Sequence, residues 1–513
     1  MNFESVLFLR PALSEIEPAE DPPFFSDLNL DQVGDVIFAG RESYNLRPFF
    51  RIALRSIDEI VYRHQVMRDL ENAQVFAEVS AFAEAMRGIR ESLAAAAKLY
   101  YAHERERWIV DAAARYRDGV ERLLRALGEA NFASQGLAAF RGYLAEYVGS
   151  AGFRALANDI VSLHEKLAAI EYAVVIDGDR LNVREPRNEG DLVVAIHETF
   201  ARFRQGAAKS YLLTFHERPG MNHIEAKVLE FVAMLHPEEF AELDRFAENH
   251  ATFIDPVIER FDREVQFYLA CFEYARSFES AGLPMCFPTV SSSKAVSAQE
   301  TFDVALARRL IEANGTIVYN DFSLDEPERV FVVSGPNQGG KTTFARTFGQ
   351  LQYLAALGCR VAGRSVSTVL FDAIFTHFER QEDPSALRGK LEDDILRIHE
   401  ILERATTDSI IILNEIFAST TVRDATVLAR RIMDRILALD ALCVCVTFID
   451  ELSTLSEKTV SMVSLVDAAN PDVRTFKVVR RKADGLAYAV SLAEKYSLTY
   501  DRLRRRLNGR GHG

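Results

Sequence analysis

The residues most able to do chemistry lie between Gly335 and Thr343. Gly335 to Thr342 fit the pattern G-x-x-x-x-G-K-[ST], with Pro336, Asn337 and Gln338 inside the loop and Thr343 just after it. Glycines at 335, 339 and 340 allow backbone conformations closed to other residues and let main-chain N–H groups approach a polyphosphate. Lys341 would reach the β- and γ-phosphates, and the Thr342 hydroxyl suits Mg²⁺. A second group follows the apolar run Ile410 to Leu413, where Asn414 and Glu415 stand at the carboxyl end of an expected strand, the place where ligands bind in open α/β sheets. Glu415 is the candidate base for polarising water, and the alternative is a surface glutamate after a strand. Asn414 occupies the position where a carboxylate would support the metal. An amide can bond a Mg²⁺-bound water but brings no charge, so weak Mg²⁺ binding or slow turnover is expected.

These groups need a scaffold. Val330 to Val333 is an uncharged, β-branched and aromatic run that reads as a strand buried on both faces. Phe344, Phe348, Leu351 and Leu354 then recur at helical spacing up to Gly358, a natural stop. Further on come SVSTVLFDAIFTHF, a helix from Lys390 to Ala405, the strand from Ile410, a helix near Asp424 to Leu437 and a strand from Leu442 to Phe448. The alternation predicts a mostly parallel sheet flanked by helices.

Upstream the pattern differs. Residues 1–40, with Pro11, Pro18, Pro22 and Pro23, read as irregular. Residues 41–285 are mainly helical, broken by a hairpin signal at Asp177-Gly178 and restarted at Pro237. The Pro- and Ser-rich stretch from Gly282 to Ser297 marks a boundary, leaving 286–513 as the α/β domain. The expected class is therefore α plus α/β: a long helical region followed by a P-loop domain.

At 513 residues with 48% hydrophobic content, the chain is long enough for two to four packed domains. The absence of an 18-residue apolar run argues against a membrane partner and, with the acidic N-terminus, for a cytoplasmic protein. Five cysteines show no zinc spacing, and Cys443 and Cys445 read as core thiols. The net charge of −15 counts against a protein coated in nucleic acid, although a local basic groove can coexist with it. The C-terminal tail YDRLRRRLNGRGHG is cationic, either as a solvated end or as a contact to a phosphate backbone or partner.

GPNQGGKTT, SIIILNEIFASTTVRDATVLA and CVCVTFIDEL together resemble the ATPase domain of the MutS family of DNA mismatch repair proteins, and YNDF before the first strand is similar too. The stretch from NLRPFFRIALRSIDEIVYRHQVMRDLE onward loosely resembles the family's core and lever region. The resemblance implies ATP held by Gly335 to Thr343, Mg²⁺ near Thr342, Asn414 and Glu415, and Glu415 and Lys341 as the catalytic pair. It also implies DNA as a partner, a homodimer through facing ATPase domains, and a possible repair-protein partner. A loop of one subunit would complete the other's site, here near Ser385 to Asp394. That segment also reads as the polar start of a helix with the stripe Leu391, Ile395, Ile398 and Leu402.

Departures accompany the likeness. Asn414 replaces the family's aspartate, Phe417-Ala418-Ser419 its Gly-rich segment, Phe448 its histidine, and Gly389 and Lys390 the serine-threonine pair of the trans loop. Slow hydrolysis with retained nucleotide binding is the expectation. The core-like sequence begins by about residue 40, so the chain is expected to lack the domain that reads mismatches. The clamp is abbreviated to Arg187 to Gly220, where Arg202, Arg204, Lys209 and Arg218 face Glu189, Asp191, Glu198 and Glu217 in the count of charge. Two readings follow: an ATP-gated dimeric clamp on mismatched or branched DNA, and a nucleotide-gated protein-interaction module that has lost DNA recognition.

Overall fold

The computed structural model describes residues 3–10, 18–178, 180–186, 220–379, 389–417, 420–467 and 473–483. The chain divides into two compact units, one of Met1–Phe3, Glu71–Phe132 and Leu137–Asp262, the other of Glu4–Leu70, Ala133–Gly136 and Arg263–Gly513.

The first unit is built from long helices. Asn72 caps α1 (Ala73–Ala96) by accepting the N–H groups of Gln74 and Val75, which supplies partners that a helix start otherwise lacks. α2 (Ala102–Glu129) packs along α1, and its 28 residues give it a length of about 42 Å. Phe140 stacks on Phe261 with ring centroids 3.5 Å apart, and Phe3 packs 5.0 Å from Phe140. Tyr143 donates to Asp255 at 2.8 Å, fixing a polar network within this core. Pro237 opens α3 (Pro237–Asn249) as expected, because the first turn needs no N–H from it. The hairpin pairs Ala173–Asp177 with Arg180–Arg184, so Asp177 is the last residue of its strand and lies opposite Arg180. The segment expected to be the clamp, Arg187 to Gly220, lies outside the described residues except for Gly220.

α4 (Pro256–Ser280) leads to the second unit, whose centre is a six-stranded sheet. Its strands are β1 (Val330–Ser334), β2 (Ile374–His377), β3 (Ile410–Asn414), β4 (Leu442–Val446), β5 (Thr459–Val466) and β6 (Arg474–Arg480), in the order β2-β3-β4-β1-β5-β6. All neighbours are parallel except β5 and β6. The expected mostly parallel sheet is present, and the run SVSTVLFDAIFTHF proves to hold two strands, Ser365–Val369 in a separate four-stranded sheet and β2 in this one.

Alternation along β1 explains why it is apolar throughout. Val330 and Val332 join a core with Ile411, Leu413, Cys443 and Cys445, covered by α6 (Lys390–Arg404) and α7 (Val422–Leu439) through Ile398, Ile401, Ala429 and Met433. Phe331 points to the other face and meets Phe322, Phe344 and Phe348. Phe344 and Phe348 belong to α5 (Lys341–Ala356), which directly follows the glycine loop. A helix and a strand buried on both sides cannot shift without breaking these ring contacts.

Residues 18–70 form part of this same unit, which differs from the expected division at residues 40 and 286. Short helices at Phe24–Asp27 and Leu30–Ile37 occupy the stretch read as irregular. Gln350 of α5 donates to the Leu28 carbonyl at 2.8 Å, and Tyr353 to that of Phe50 at 2.6 Å. A Cβ added at Gly349 would lie 2.7 Å from Leu28, so the segment rests directly on the helix. Proline content signalled loop here because these helices are short and held by tertiary contacts.

Candidate nucleotide-binding site

β1 ends at the buried Ser334, and the chain then turns through residues with positive φ: Gly335 at 120°, Gln338 at 60° and Gly340 at 95°. β5 dictates the glycines. Val463 pairs with Ser334, placing Ser464 beside the loop. A Cβ at Gly335 would approach the Ser464 carbonyl to 2.8 Å, one at Gly339 would collide with the Ser464 hydroxyl, and that hydroxyl donates to the Gly339 carbonyl. Gln338 adopts the left-handed region without being glycine, a conformation the loop imposes.

Gly340 is the N-cap of α5, so Lys341, Thr342 and Thr343 form its first turn, where backbone N–H groups lack intrahelical acceptors. Lys341 is 5% exposed, and its ammonium donates to the carbonyls of Gly335 at 3.1 Å and Pro336 at 3.2 Å, and to Asn337 Oδ1 at 3.3 Å. It stands 3.7 Å from Glu415 Oε1. Burial lowers the Lys341 pKa, with Glu415 opposing that shift. Thr342 donates its hydroxyl to Asn414 Oδ1 at 3.0 Å. Thr343 contributes its carbonyl to the Thr347 hydroxyl at 2.8 Å, inside the helix.

On the far side, Asn414 is the last residue of β3 and pairs with Val446 of β4. Glu415 follows with φ of 54° and donates its N–H to the Val446 carbonyl at 2.9 Å. Its side chain is one-third exposed, at 33%, between the buried ammonium and solvent. Lys341, Thr342, Asn414 and Glu415, drawn from two regions more than seventy residues apart in the chain, thus meet at the ends of β1 and β3. Thr447 donates its N–H to the Val333 carbonyl at 3.0 Å, and the next residue, Phe448, is 49% exposed.

Three participants were absent from the expected set. Ser464 underlies the loop, Arg474 of β6 donates to the Asn337 carbonyl at 3.2 Å, and Asn320 accepts the Val478 N–H at 2.7 Å while donating to the Phe476 carbonyl. Phe476 has φ of 57°, is half exposed, and its backbone would lie 3.5 Å from a Cβ on Gly340. Asn320 belongs to the quoted YNDF, yet its role depends on a strand some 156 residues later, which no local pattern reveals.

The expected trans loop is only partly within view. Ser385 to Arg388 lie outside the described residues, as do Ala418, Ser419 and the basic tail after residue 483. α6 starts at Lys390, whose ammonium pairs with Glu379 at 2.5 Å. Its stripe departs from expectation: Ile395 is exposed, whereas Ile398 and Ile401 are buried, and Asp394 is buried against His377 at 3.2 Å. The acidic residue turns inward because an imidazole on β2 gives it a partner. Cys443 and Cys445 are buried free thiols, as expected. Among the described residues, no helix is long and apolar enough to cross a membrane.

An open sheet whose first strand runs through a glycine loop into a helix, with polar side chains gathered at strand carboxyl ends, defines a doubly flanked α/β domain. Residues 331–501 match the family described as MutS domain V. Endonuclease MutS2 of Leuconostoc mesenteroides is 26% identical over 266 residues, covering 50% of this chain and 32% of the relative. DNA mismatch repair protein MutS of Halalkalibacterium halodurans is 28% identical over 186 residues, 35% of this chain and 21% of that one. Endonuclease MutS2 of Thermus thermophilus is 27% identical over 197 residues, 37% and 25% respectively. The chain therefore spans a third or less of the length of these relatives.

Proposed function

We propose that this chain binds Mg-ATP at the loop of β1 and α5, hydrolyses it slowly, and uses it to gate a homodimeric clamp on mismatched or branched DNA. The observation that carries the reading is the convergence of Lys341, Thr342, Asn414 and Glu415. A buried ammonium held mostly by neutral carbonyls, with hydroxyl, amide and carboxylate oxygens beside it, fits a metal-bound polyphosphate. Backbone N–H groups of Gly339 to Thr343 and the Lys341 ammonium would hold the phosphates, Thr342 would ligate the metal, and Asn414 would bond a metal-bound water. Bound Mg²⁺ would neutralise phosphate charge. Glu415, partly open to solvent, would take a proton from water, while Asn414 adds no anionic ligand.

DNA as partner, pairing through the α/β domains and a cytoplasmic location extend this reading by family likeness, and the long helices of the first unit are suited to an arm. Titrating the full chain with mismatched, branched and plain duplexes over a salt series, with and without Mg-ATP, tests it. Nucleotide-dependent binding that weakens steeply with salt supports the clamp. Absence of micromolar binding to every duplex removes it.

One observation favours a second reading, a nucleotide-gated module for protein partners, among them repair proteins. Phe448, half exposed beyond β4, presents an apolar ring where a hydrogen-bonding side chain was expected, and the chain carries a net charge of −15. Affinity capture from nuclease-treated lysate separates the two. A specific partner that survives nuclease and requires Lys341 favours the module; one lost with nuclease favours DNA.

A further inference from the structure

A cluster in the helical unit has no part in the nucleotide chemistry. His103 and Glu106 lie three residues apart in the first turns of α2, on one face of the helix. Asp244 approaches them from α3. The His103 Nδ1 atom is 3.0 Å from Glu106 Oε2 and 3.5 Å from Asp244 Oδ1, and one ligand atom from each residue lies within 4.8 Å of the other two. Phe240, one turn before Asp244, packs edge-on against the imidazole at 4.9 Å between centroids and holds its plane. Glu106 is only 12% exposed, whereas Asp244 is half open to solvent at 51%.

A protonated imidazole would turn a single Nδ1–H toward two carboxylates, and one N–H cannot bond both well, leaving one anion poorly compensated beside the other. A cation between the three groups satisfies all of them at once. Zinc with nitrogen and oxygen ligands at about 2.0–2.1 Å places neighbouring ligand atoms roughly 3.4 Å apart in a tetrahedron. The observed 3.0 and 3.5 Å bracket that spacing. The imidazole selects against Mg²⁺ and Ca²⁺, which prefer oxygen alone, and favours zinc or a similar borderline divalent ion.

We infer that His103, Glu106 and Asp244 form a zinc-class divalent metal site that clips α2 to α3. Three protein ligands leave a fourth position on the exposed side of Asp244 for water. The site is independent of ATP. Its position gives it a mechanical role, because Glu104, between His103 and Glu106 in sequence, accepts the Met221 N–H at 2.9 Å. The same turn of α2 therefore holds both α3 and the backbone at Met221.

The test uses the full chain, stripped with chelator, free of nucleotide, and titrated with Zn²⁺ by calorimetry near neutral pH. One Zn²⁺ per chain binds with micromolar or tighter affinity, and His103→Ala and Asp244→Asn each weaken it at least about tenfold. Asp244→Asn keeps a near-identical shape on an exposed side chain, so circular dichroism will show an intact fold. Zn²⁺ raises the Tm of the unaltered chain and leaves that of Asp244→Asn unchanged. Cobalt substitution adds a spectroscopic readout, with absorption bands of a nitrogen-containing site that vanish in His103→Ala. No binding by the unaltered chain, or equal binding by it and both variants, overturns the assignment and leaves the three groups as a bridged ion pair.

Discussion

The two sides of the candidate nucleotide site differ in how completely they are equipped. The side of β1 and α5 holds glycines packed closely against Ser464 and Phe476, a helix start without a side-chain cap and a buried ammonium. On the side of β3 and β4, Glu415 follows the neutral Asn414, and the half-exposed residue just beyond β4 is the apolar Phe448. On the proposed reading, binding and hydrolysis would be carried by separate surfaces, the first more completely furnished than the second. Lys341→Ala attacks the complete side. It should weaken nucleotide binding by about 100-fold or more, roughly 3 kcal/mol, in a calorimetric titration. Retained affinity would mean that the loop does not grip phosphate, and the contrast between the two sides would lose its basis.

Glu415→Ala attacks the other side. Binding should stay within about threefold, because the residue touches the ammonium only at 3.7 Å and is partly solvated. Steady-state turnover should fall by about 100-fold, the usual worth of a positioned base. Equal turnover in the two proteins would show that another group activates water.

The same division explains what could be read from the chain. The loop side is local: strand, glycines, lysine and helix follow within 30 residues, and each residue type states its own physical requirement. The sheet was legible for the same reason, since runs such as Ile410 to Leu413 and Leu442 to Val446 can only be buried strands. Contacts made across the fold were not. Ser464 and Arg474 reach the loop from strands far along the chain, and Asn320 of YNDF acts only by holding Phe476 and Val478 of β6 beside it. Residues 18–70 read as helical or irregular, yet Leu28 and Phe50 supply carbonyls to α5, a docking that only tertiary packing decides. Ile395 fits the apolar stripe of α6 but faces solvent, because Asp394 takes the inward position to meet His377.

Asn414→Asp tests whether the weaker side is limited by charge. Thr342 already donates to Asn414 Oδ1 at 3.0 Å, and aspartate keeps that acceptor in the same place. The substitution adds a negative charge at the expected metal position, so Mg²⁺-nucleotide affinity should rise about tenfold, the equivalent of one charge-assisted interaction of about 1.4 kcal/mol. Repulsion from Glu415 opposes the gain when metal is absent, so apo stability should fall slightly while the metal-bound form is strengthened. Unchanged or weaker Mg²⁺ dependence in calorimetry would place the metal elsewhere.

Phe448→His makes the smallest change and asks the sharpest question of the comparison. The ring is half exposed, so its loss should alter stability by no more than about 0.5 kcal/mol. An imidazole adds a hydrogen-bonding group one residue beyond Thr447, whose N–H ties the end of β4 to Val333 at the end of β1. If the deficit on this side is a missing polar contact to phosphate, turnover should rise severalfold, and should rise further when combined with Asn414→Asp, since the two substitutions supply different interactions. If turnover stays unchanged in both backgrounds while nucleotide affinity is intact, the aromatic ring is not a defect in catalysis. Its exposure then belongs to a surface that meets a partner, and the two sides of the site differ in purpose rather than in completeness.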